Sequence, residues 1–133
     1  MMLRSVYAYP GAETYLYALL SEREPEQNIS HRGMPTVDQH LAFVRSRPYR
    51  EWHLITVRSV VVGAVYLTRQ WEIGIFIFKA YQGKGHGRRA VQLMRKRHAG
   101  RRLLANVNPA NAASIALFTG LGGRHIQQTY EMP

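Results

Sequence analysis

The sequence has no cysteine among its 133 residues. Disulfide bonds, a thiolate nucleophile and a cysteine-based zinc site are therefore excluded. The six histidines show no H-E-x-x-H or similar spacing, so we expect no metal site. No apolar run approaches the ~18 residues of a membrane span, and the start M-M-L-R-S-V lacks the long apolar core of a signal peptide. We therefore expect a cytoplasmic protein with no membrane partner.

Acidic residues are also scarce, since eight aspartates and glutamates stand against 18 lysines and arginines, for a formal net charge of +10. Many of the cations follow a single glycine turn: Arg88, Arg89, Arg95, Lys96, Arg97, Arg101 and Arg102. Such an excess indicates a polyanionic partner. A solvated helix face and a phosphate-bearing ligand would account for much of the same charge. Nucleic acid is therefore kept as an alternative partner and is not the favoured one.

The hydrophobic periodicity predicts one α/β domain over residues 1–133. Strands are predicted at residues 3–9, 52–58, 60–68, 73–78, 102–107 and 124–131, and helices at 12–21, from the Thr36–Gln39 capping box to before Pro48, at 87–98 and at 111–119. This order predicts a mixed sheet with helices on both faces. The polar segment 22–35 has no periodicity and is our candidate for a substrate-side loop. His31 and His40 are interpreted as a loop residue and a helix-face residue, not as catalysts.

The glycine turn is the strongest local signal in the chain. An apolar run at residues 73–78 reads as a strand buried on both faces, and residues 82–87, Q-G-K-G-H-G, then place glycines at alternate positions before a helix. Glycine allows positive φ and close approach of a ligand, and the first N–H groups of a helix carry the positive end of its dipole. The turn therefore predicts a phosphate or pyrophosphate site.

The spacing of this turn excludes two common phosphate motifs. A G-x-G-x-x-G fingerprint would require glycine where Arg88 stands, and a P-loop would require Ser or Thr after Lys84. The remaining pattern, Gln82-x-x-Gly85-x-Gly87 after an apolar strand, resembles the acyl-CoA pyrophosphate signature of the GNAT N-acetyltransferase superfamily. Residues 108–123 are similar to the second cofactor segment of that superfamily, with the pattern Asn-x-x-Ser/Ala-x-x-x-aromatic-x-x-x-Gly.

The resemblance implies a GNAT-like α+β fold, with a mostly antiparallel sheet, helices on both faces and a splayed parallel central strand pair. It also implies acetyl-CoA as the acyl donor. Its pantetheine arm would pair with the main chain of Ile75, Phe76 and Ile77. Its pyrophosphate would be held by the amides of Gln82, Gly83, Lys84, Gly85, His86, Gly87 and Arg88. By position, Asn111 would reach the pantetheine and Phe118 would lie near the thioester sulfur, although Asn111 has an equal alternative as a helix N-cap.

Glu72 is the candidate general base. An alkyl amine with a pKa near ~10 is almost wholly protonated at neutral pH, so acetyl transfer to it needs a base. Glu72 opens the apolar strand, close to where some GNAT members carry their catalytic glutamate. Other members carry it at the position of Asn106, which cannot act as a base. The structural alternative for Glu72 is that it ends the strand or pairs with an arginine.

The sequence leaves alternatives open for the group that assists departure of the CoA sulfur. Many GNAT members have, at the position of Phe118, a tyrosine that donates a proton or hydrogen bond to the leaving sulfur, and phenylalanine lacks this donor. Either the thiolate, with a pKa near ~8.5, departs without help, or another group such as Tyr130 or a water molecule substitutes.

The resemblance predicts an enzyme that transfers acetyl from acetyl-CoA to a primary amine by direct attack. A small-molecule amine such as an aminosugar is favoured. The alternatives are an enzyme acting on a protein or nucleic-acid amine, and a CoA-binding module without turnover. GNAT members usually end with two strands after the last helix, whereas the residues after Gly123 suffice for one. Either the last strand is single or a partner chain completes that edge, so we expect a monomer or a homodimer.

Overall fold

A computed structural model of the chain describes residues 1–24 and 33–133. Its regular elements are β1 (Met2–Ser5), α1 (Ala12–Ser21), α2 (Val37–Arg45), β2 (Glu51–Val57), β3 (Val60–Leu67), β4 (Ile73–Ile77), a 3-10 turn (Lys79–Tyr81), α3 (His86–Arg97) and α4 (Ala112–Gly120). Residues 25–32, which include His31 and much of the loop predicted at 22–35, lie outside the described residues. Among the residues described, no helix is long and apolar enough to cross a membrane.

The sheet has four strands in the order β1-β2-β3-β4, and every neighbouring pair is antiparallel. The predicted hairpin of β2 and β3 is confirmed. Its turn residues Arg58 and Ser59 both have positive φ, at 51° and 67°. This backbone twist matches the right-handed twist of the two strands, which is why two-residue hairpin turns of this kind are favoured.

Helix α2 begins at the predicted capping box. Gln39 N donates to Thr36 Oγ1 (3.2 Å), and Thr36 N donates to Gln39 Oε1 (2.9 Å). These two bonds satisfy amides that the first turn of a helix leaves free. His40 lies on the buried side of α2, with its ring edge-on to Tyr17 at 5.2 Å, so its interpretation as a helix-face residue is confirmed.

Two hydrophobic clusters lie on opposite faces of the sheet. Adjacent residues of one strand belong to different clusters: Leu54 lies in the cluster with α1 and α2, and Ile55 lies in the cluster with α3. Because successive side chains on a strand point to opposite faces, the helices cover both sides of the sheet, as predicted. Leu54 and Ile55 are both 0% exposed, and full burial of such a side chain stabilises the fold by roughly 1.5–3 kcal/mol.

Strand β4 is less buried than the sequence suggested. Ile73 is buried, but residues 74–77 are only half-buried, so the prediction of a strand buried on both faces is wrong for most of its length. The cause is its place at the edge of the described sheet, where β3 is its only strand neighbour. An apolar run indicates that a strand is removed from water to some extent, but it does not show whether the strand has neighbours on both sides.

Two predicted strands are absent from the residues that the structure describes. Residues 102–107 form a single parallel bridge, between Glu72 and Leu104, so the expected splayed parallel pair is not seen. Residues 124–131 form no strand and are exposed throughout. Ile126 is 53% exposed and Tyr130 is 77% exposed. An extended segment becomes a strand only when a partner accepts its hydrogen bonds, and neither segment has a continuous one.

Candidate active site

The glycine turn after β4 has the backbone conformation that the sequence predicted. Gly83 and Gly85 have φ of 76° and 80°, in the left-handed region that side chains rarely adopt. A Cβ built at either residue would meet no heavy atom within 4 Å. The turn is therefore open on its outer side, where a ligand could reach the backbone.

The N-terminus of α3 follows directly and offers free amides. Its first hydrogen bond is donated by Arg89 N to Gly85 O (3.1 Å), so the amides of His86, Gly87 and Arg88 precede the helical ladder. Gly85 supplies no side-chain cap, and the first turn contains no acidic residue. A helix N-terminus without an acidic residue in its own first turn favours an anionic ligand.

Gly87 fixes how closely α3 approaches the sheet. A Cβ at this position would stand 3.1 Å from Leu117 Cδ1 and 3.7 Å from Ile77 Cγ1. The start of α3 is therefore packed closely between β4 and α4, and a side chain at position 87 would require Leu117 to shift by a few tenths of an ångström. Arg88 ties the same helix to α4, because its Nη2 donates to Gly120 O (3.3 Å).

Gln82 and Lys84 connect the glycine turn to the residues that precede it. Gln82 N donates to Lys79 O (3.3 Å), and Gln82 Nε2 donates to Ile77 O (3.0 Å). The backbone amide of Gln82 is thus already used, and its side chain links the turn to the end of β4. The Lys84 ammonium lies 5.8 Å from the centre of the Tyr81 ring.

The backbone of β4 shows which residues present groups away from β3. Phe78 N donates to a β3 carbonyl (2.9 Å), whereas Ile73 N donates away from β3 (2.7 Å). Backbone groups alternate in direction along a strand, so those of Phe76 point toward β3 and those of Ile75 and Ile77 point away. We call this side of Ile75 and Ile77 the open edge of β4. Of the three residues predicted to pair with pantetheine, two have backbone groups on the open edge.

Helix α4 packs on the α3 face of the sheet, and Asn111 and Phe118 are the last two predicted residues. Asn111 is its N-cap, since Asn111 Oδ1 accepts a hydrogen bond from Ser114 N (3.1 Å). Phe118 is half-buried and packs with Leu117 against the cluster on the α3 face. The structure therefore shows a structural role for both residues, and it brings Phe118 to the α3 side of the sheet.

Glu72 stands at the other end of β4 and is held by two neighbours. Its Oε1 accepts from Thr68 Oγ1 (3.3 Å), and its Oε2 accepts from Asn106 Nδ2. Its backbone also makes two hydrogen bonds with Thr68. The Glu72 carbonyl accepts from Thr68 N (2.9 Å), and Glu72 N donates to Thr68 Oγ1 (3.0 Å). No arginine pairs with this carboxylate among the described residues. Its half-buried side chain is thus oriented by hydrogen bonds rather than by an ion pair.

Tyr66 is a candidate that the sequence analysis missed. Its phenol ring lies directly over Gly74, which shares a face of β4 with Glu72 and Phe76. Tyr49 stacks on the ring at 4.0 Å between centroids. Burial raises the pKa of Tyr66 and the Glu72 carboxylate adds to the rise, although the Arg23 charge and Tyr49 offset part of it. The hydroxyl therefore stays protonated at neutral pH and can donate a hydrogen bond.

The sequence did contain a signal for this contact. Gly74 interrupts the apolar run of β4, and an isolated glycine in a strand often marks a close approach by another group. The sequence could not say that the group was Tyr66, because the two residues meet only through the register of β3 and β4. Tyr130, the predicted substitute donor, instead lies in the exposed C-terminal segment and donates to Gln128 Oε1 (2.6 Å).

The sequence model of the acetyltransferase (GNAT) family matches residues 14–122, which include β4, the glycine turn and α4. The chain belongs to the GNAT acetyltransferase family. This GNAT protein is an acetyl-CoA-dependent N-acetyltransferase, so the resemblance, the enzyme class and the acyl donor predicted from the sequence are confirmed. A search of curated proteins found no match.

Solved structures share the GNAT fold of this enzyme. A domain from Methanocaldococcus jannaschii DSM 2661 matches with a TM-score of 0.80 and 23% identity, over 98% of this chain and 92% of that one. An N-acetyltransferase from Staphylococcus aureus Mu50 gives a TM-score of 0.74 and 19% identity, over 95% and 84%. The yncA protein from Salmonella typhimurium, solved with its cofactor acetyl-CoA, gives 0.65 and 21%, over 92% and 78%.

Proposed function

We propose that this GNAT enzyme acetylates the primary amine of a small molecule by direct attack, with Glu72 as the general base. One observation carries the proposal: Glu72 and Tyr66 lie on the same face of β4, the strand whose open edge and glycine turn fit acetyl-CoA. A base and a hydrogen-bond donor beside a donor site are the parts that acetyl transfer requires.

The residues at the open edge fit acetyl-CoA, which when bound supplies an activated acetyl thioester. Ile75 and Ile77 would pair with its pantetheine amides through their main chain, in the manner of an added strand. Residues 83–88 would hold its pyrophosphate through backbone amides, because Gly83 and Gly85 leave that surface uncovered. Asn111 and Phe118 would border the pantetheine from α4.

Glu72 would remove the proton from the attacking ammonium, directly or through water. An amine with a pKa near ~10 must lose this proton before it can attack a carbonyl carbon. Thr68 and Asn106 occupy one lone pair on each carboxylate oxygen, and each oxygen has a second one. The carboxylate is thus held in place and can still accept a proton.

Tyr66 would act as the donor that Phe118 cannot be. Its hydroxyl lies on the Glu72 side of β4, and its ring is fixed between Tyr49 and Gly74. A fixed donor loses little conformational entropy when a reacting group arrives. The hydroxyl would stabilise the leaving thiolate by donating a hydrogen bond, and it would keep its own proton because its raised pKa lies above the ~8.5 of a thiol.

The walls of the acceptor side favour a small molecule. Phe76 extends the aromatic surface from Tyr66, with 6.3 Å between ring centroids, and Arg23 lies 4.7 Å from the Phe76 ring centre. Glu22 Oε1 accepts from Lys79 N (2.8 Å), so the end of α1 lies beside the 3-10 turn that follows β4. An aminosugar offers both an apolar ring face and polar groups for such walls.

A protein or nucleic-acid amine is the second candidate, and the net charge of +10 favours it. The discriminating experiment is mass spectrometry of purified enzyme with acetyl-CoA and a panel of aminosugars, polyamines, peptides and oligonucleotides. We expect an acetylated small amine. Acetylation of peptides or oligonucleotides alone would establish the second candidate.

The role of Glu72 is tested on the acceptor so identified. Glu72→Gln should lower turnover roughly 10²-fold at neutral pH, and the deficit should shrink at high pH as the amine deprotonates unaided. Asp38→Asn, which removes a carboxylate from the first turn of α2, serves as the control and should keep full turnover. An equal deficit of Glu72→Gln at every pH would show substrate positioning instead of proton removal.

A further inference from the structure

A concave surface lies away from the glycine turn. This cavity of about 530 Å³ is lined by Arg47, Arg50, Arg69 and Arg97 together with Tyr7, Tyr49 and Trp52, and we call it the arginine cleft. It lies where β1 and β3 end and β2 begins, whereas the glycine turn follows the opposite end of the sheet, after β4. Its volume is in the ~300–1,000 Å³ range of small-molecule sites.

The positive charge of the cleft is not balanced from within. Its only acidic lining residue, Glu51, is 16% exposed, and its carboxylate already contacts His53 Nε2 (2.8 Å), Arg97 Nε (2.8 Å) and His98 Nε2 (2.5 Å). The other three arginines form no ion pair with any residue that the structure describes. Guanidinium groups gathered in this way repel one another, and a bound anion would relieve the repulsion.

Hydrogen bonds and ring contacts hold these three guanidinium groups in place. Arg69 donates to Pro48 O (2.8 Å) and Arg47 O (3.0 Å), and Arg50 donates to Arg69 O (3.2 Å). Arg50 also lies 3.9 Å from the centre of the Trp71 ring. The bonds join the loop after α2 to the turn after β3, so the cleft is fixed before any ligand arrives.

Arg47 is the residue whose donors remain most available. Its guanidinium lies 4.1 Å from the centre of the Tyr7 ring and donates no hydrogen bond to the described residues. Its backbone has an unusual φ of 52°, and its carbonyl accepts a hydrogen bond from Arg69. A guanidinium has five N–H donors in a planar fork, and the structural contacts of Arg47 and Arg69 use only two of ten.

We propose that the arginine cleft binds a small molecule through an oxyanion group, either a phosphate or a carboxylate. Arginine forks pair with both groups in a bidentate manner, and the aromatic rings of the lining would contact the rest of the molecule. The site is separate from the acetyl-CoA site, and it does not depend on which amine the enzyme acetylates.

Calorimetric titration with inorganic phosphate and with malonate, at an ionic strength held constant with chloride, tests the proposal. We expect saturable binding of at least one of the two, weakened tenfold or more in Arg47→Gln. Arg58→Gln is the matched control, because it removes the same charge from the β2–β3 turn at the other end of the sheet. Its affinity should equal that of the wild-type protein.

Phosphate could also bind at the glycine turn, so Gly85→Val is titrated in parallel. Loss of binding in Gly85→Val, with full binding in Arg47→Gln, would place the anion at the turn and overturn the proposal. Equal weakening by Arg47→Gln and Arg58→Gln would show general charge attraction and would overturn it as well. The same holds if neither anion binds while an oligonucleotide binds with a steep salt dependence, since the cleft would then belong to a nucleic-acid surface.

Discussion

The ring of Tyr66 occupies the space that a side chain at Gly74 would need. A Cβ at position 74 would overlap Cζ, Cε1 and Oη of Tyr66. The tyrosine comes from β3 and the glycine from β4, and the two residues are register partners. An absent side chain on one strand therefore lets the neighbouring strand place a hydroxyl on the Glu72 side of β4.

Gly74→Ala should consequently be much more harmful than its size suggests. The Tyr66 ring cannot move aside freely, because Tyr49 stacks on it at 4.0 Å. We expect a loss of about 1–3 kcal/mol in the free energy of unfolding, measured by urea denaturation, from overpacking. In a Tyr66→Ala background the same substitution should cost almost nothing. Equal costs in both backgrounds would mean that the ring does not set the requirement for glycine.

Tyr66→Phe keeps the ring and removes only the hydroxyl. We expect a slightly lower melting temperature, because the interaction of this hydroxyl with Tyr49 is lost, and turnover reduced roughly tenfold or more, because a hydrogen-bond donor to the reaction is lost. Burial raises the pKa of Tyr66 above its ordinary value of 10.0, so the deficit should be constant from pH 7 to 9, where the hydroxyl stays protonated. Tyr130→Phe is the matched control and should have full turnover. If Tyr130→Phe were the impaired variant, the donor would have been assigned to the wrong tyrosine.

Structural features that depend on a few neighbouring residues could be predicted from the sequence. The capping box of α2, the β2–β3 turn and the glycine turn each depend on a few adjacent side chains, and the structure has all three. The candidate residues on the donor side followed from the same turn and from the second segment at residues 108–123. These signals suffice because a turn or a cap is decided by local backbone sterics and hydrogen bonding.

Features that depend on distant partners could not be predicted. Residues 102–107 and 124–131 have extended character, but strand formation needs a partner, and the pattern does not show whether one is present. The hydrogen bond from Asn106 to Glu72 joins residues 34 positions apart. Likewise, no spacing in the sequence shows that Tyr66 crosses Gly74 or that the arginines of the arginine cleft converge.

The contacts of the Glu51 carboxylate with His53, Arg97 and His98 should make the free energy of unfolding depend on pH. Burial raises the pKa of Glu51, but the hydrogen bond with His53 and the charges of Arg97 and His98 outweigh it, so the net pKa is lowered from 4.5. The unfolded chain therefore binds this proton at a higher pH than the folded protein. The stabilisation is fully present above about pH 4.5 and is lost as the pH falls through the lowered value of the folded state.

Glu51→Gln tests this linkage in urea denaturation between pH 3 and 7. We expect the variant to be less stable by about 1.5–3 kcal/mol at neutral pH, because it loses charged hydrogen bonds, and the difference should narrow below pH 4.5. His98→Gln is measured alongside to separate the contribution of the His98 contact with the same carboxylate. A stability difference that does not change between pH 5 and 3 would contradict a lowered Glu51 pKa.

Gly85→Val tests the glycine turn as the pyrophosphate site. Valine at this position would cover the open amides of the turn, and it would strain a backbone held at a φ of 80°. We expect the Kd for CoA to rise tenfold or more, about 1.4 kcal/mol.

Backbone strain alone could produce such a loss of affinity, and Gly100→Val controls for it. Gly100 lies just past the other end of α3 with a φ of 82° and equally open space around it, so valine there imposes the same backbone strain away from the turn. Calorimetry should show wild-type CoA affinity in Gly100→Val and weakened affinity in Gly85→Val at a similar melting temperature. If the two variants bind CoA equally well, the amides of residues 83–88 do not hold its pyrophosphate, and the anion must be bound by another part of the enzyme.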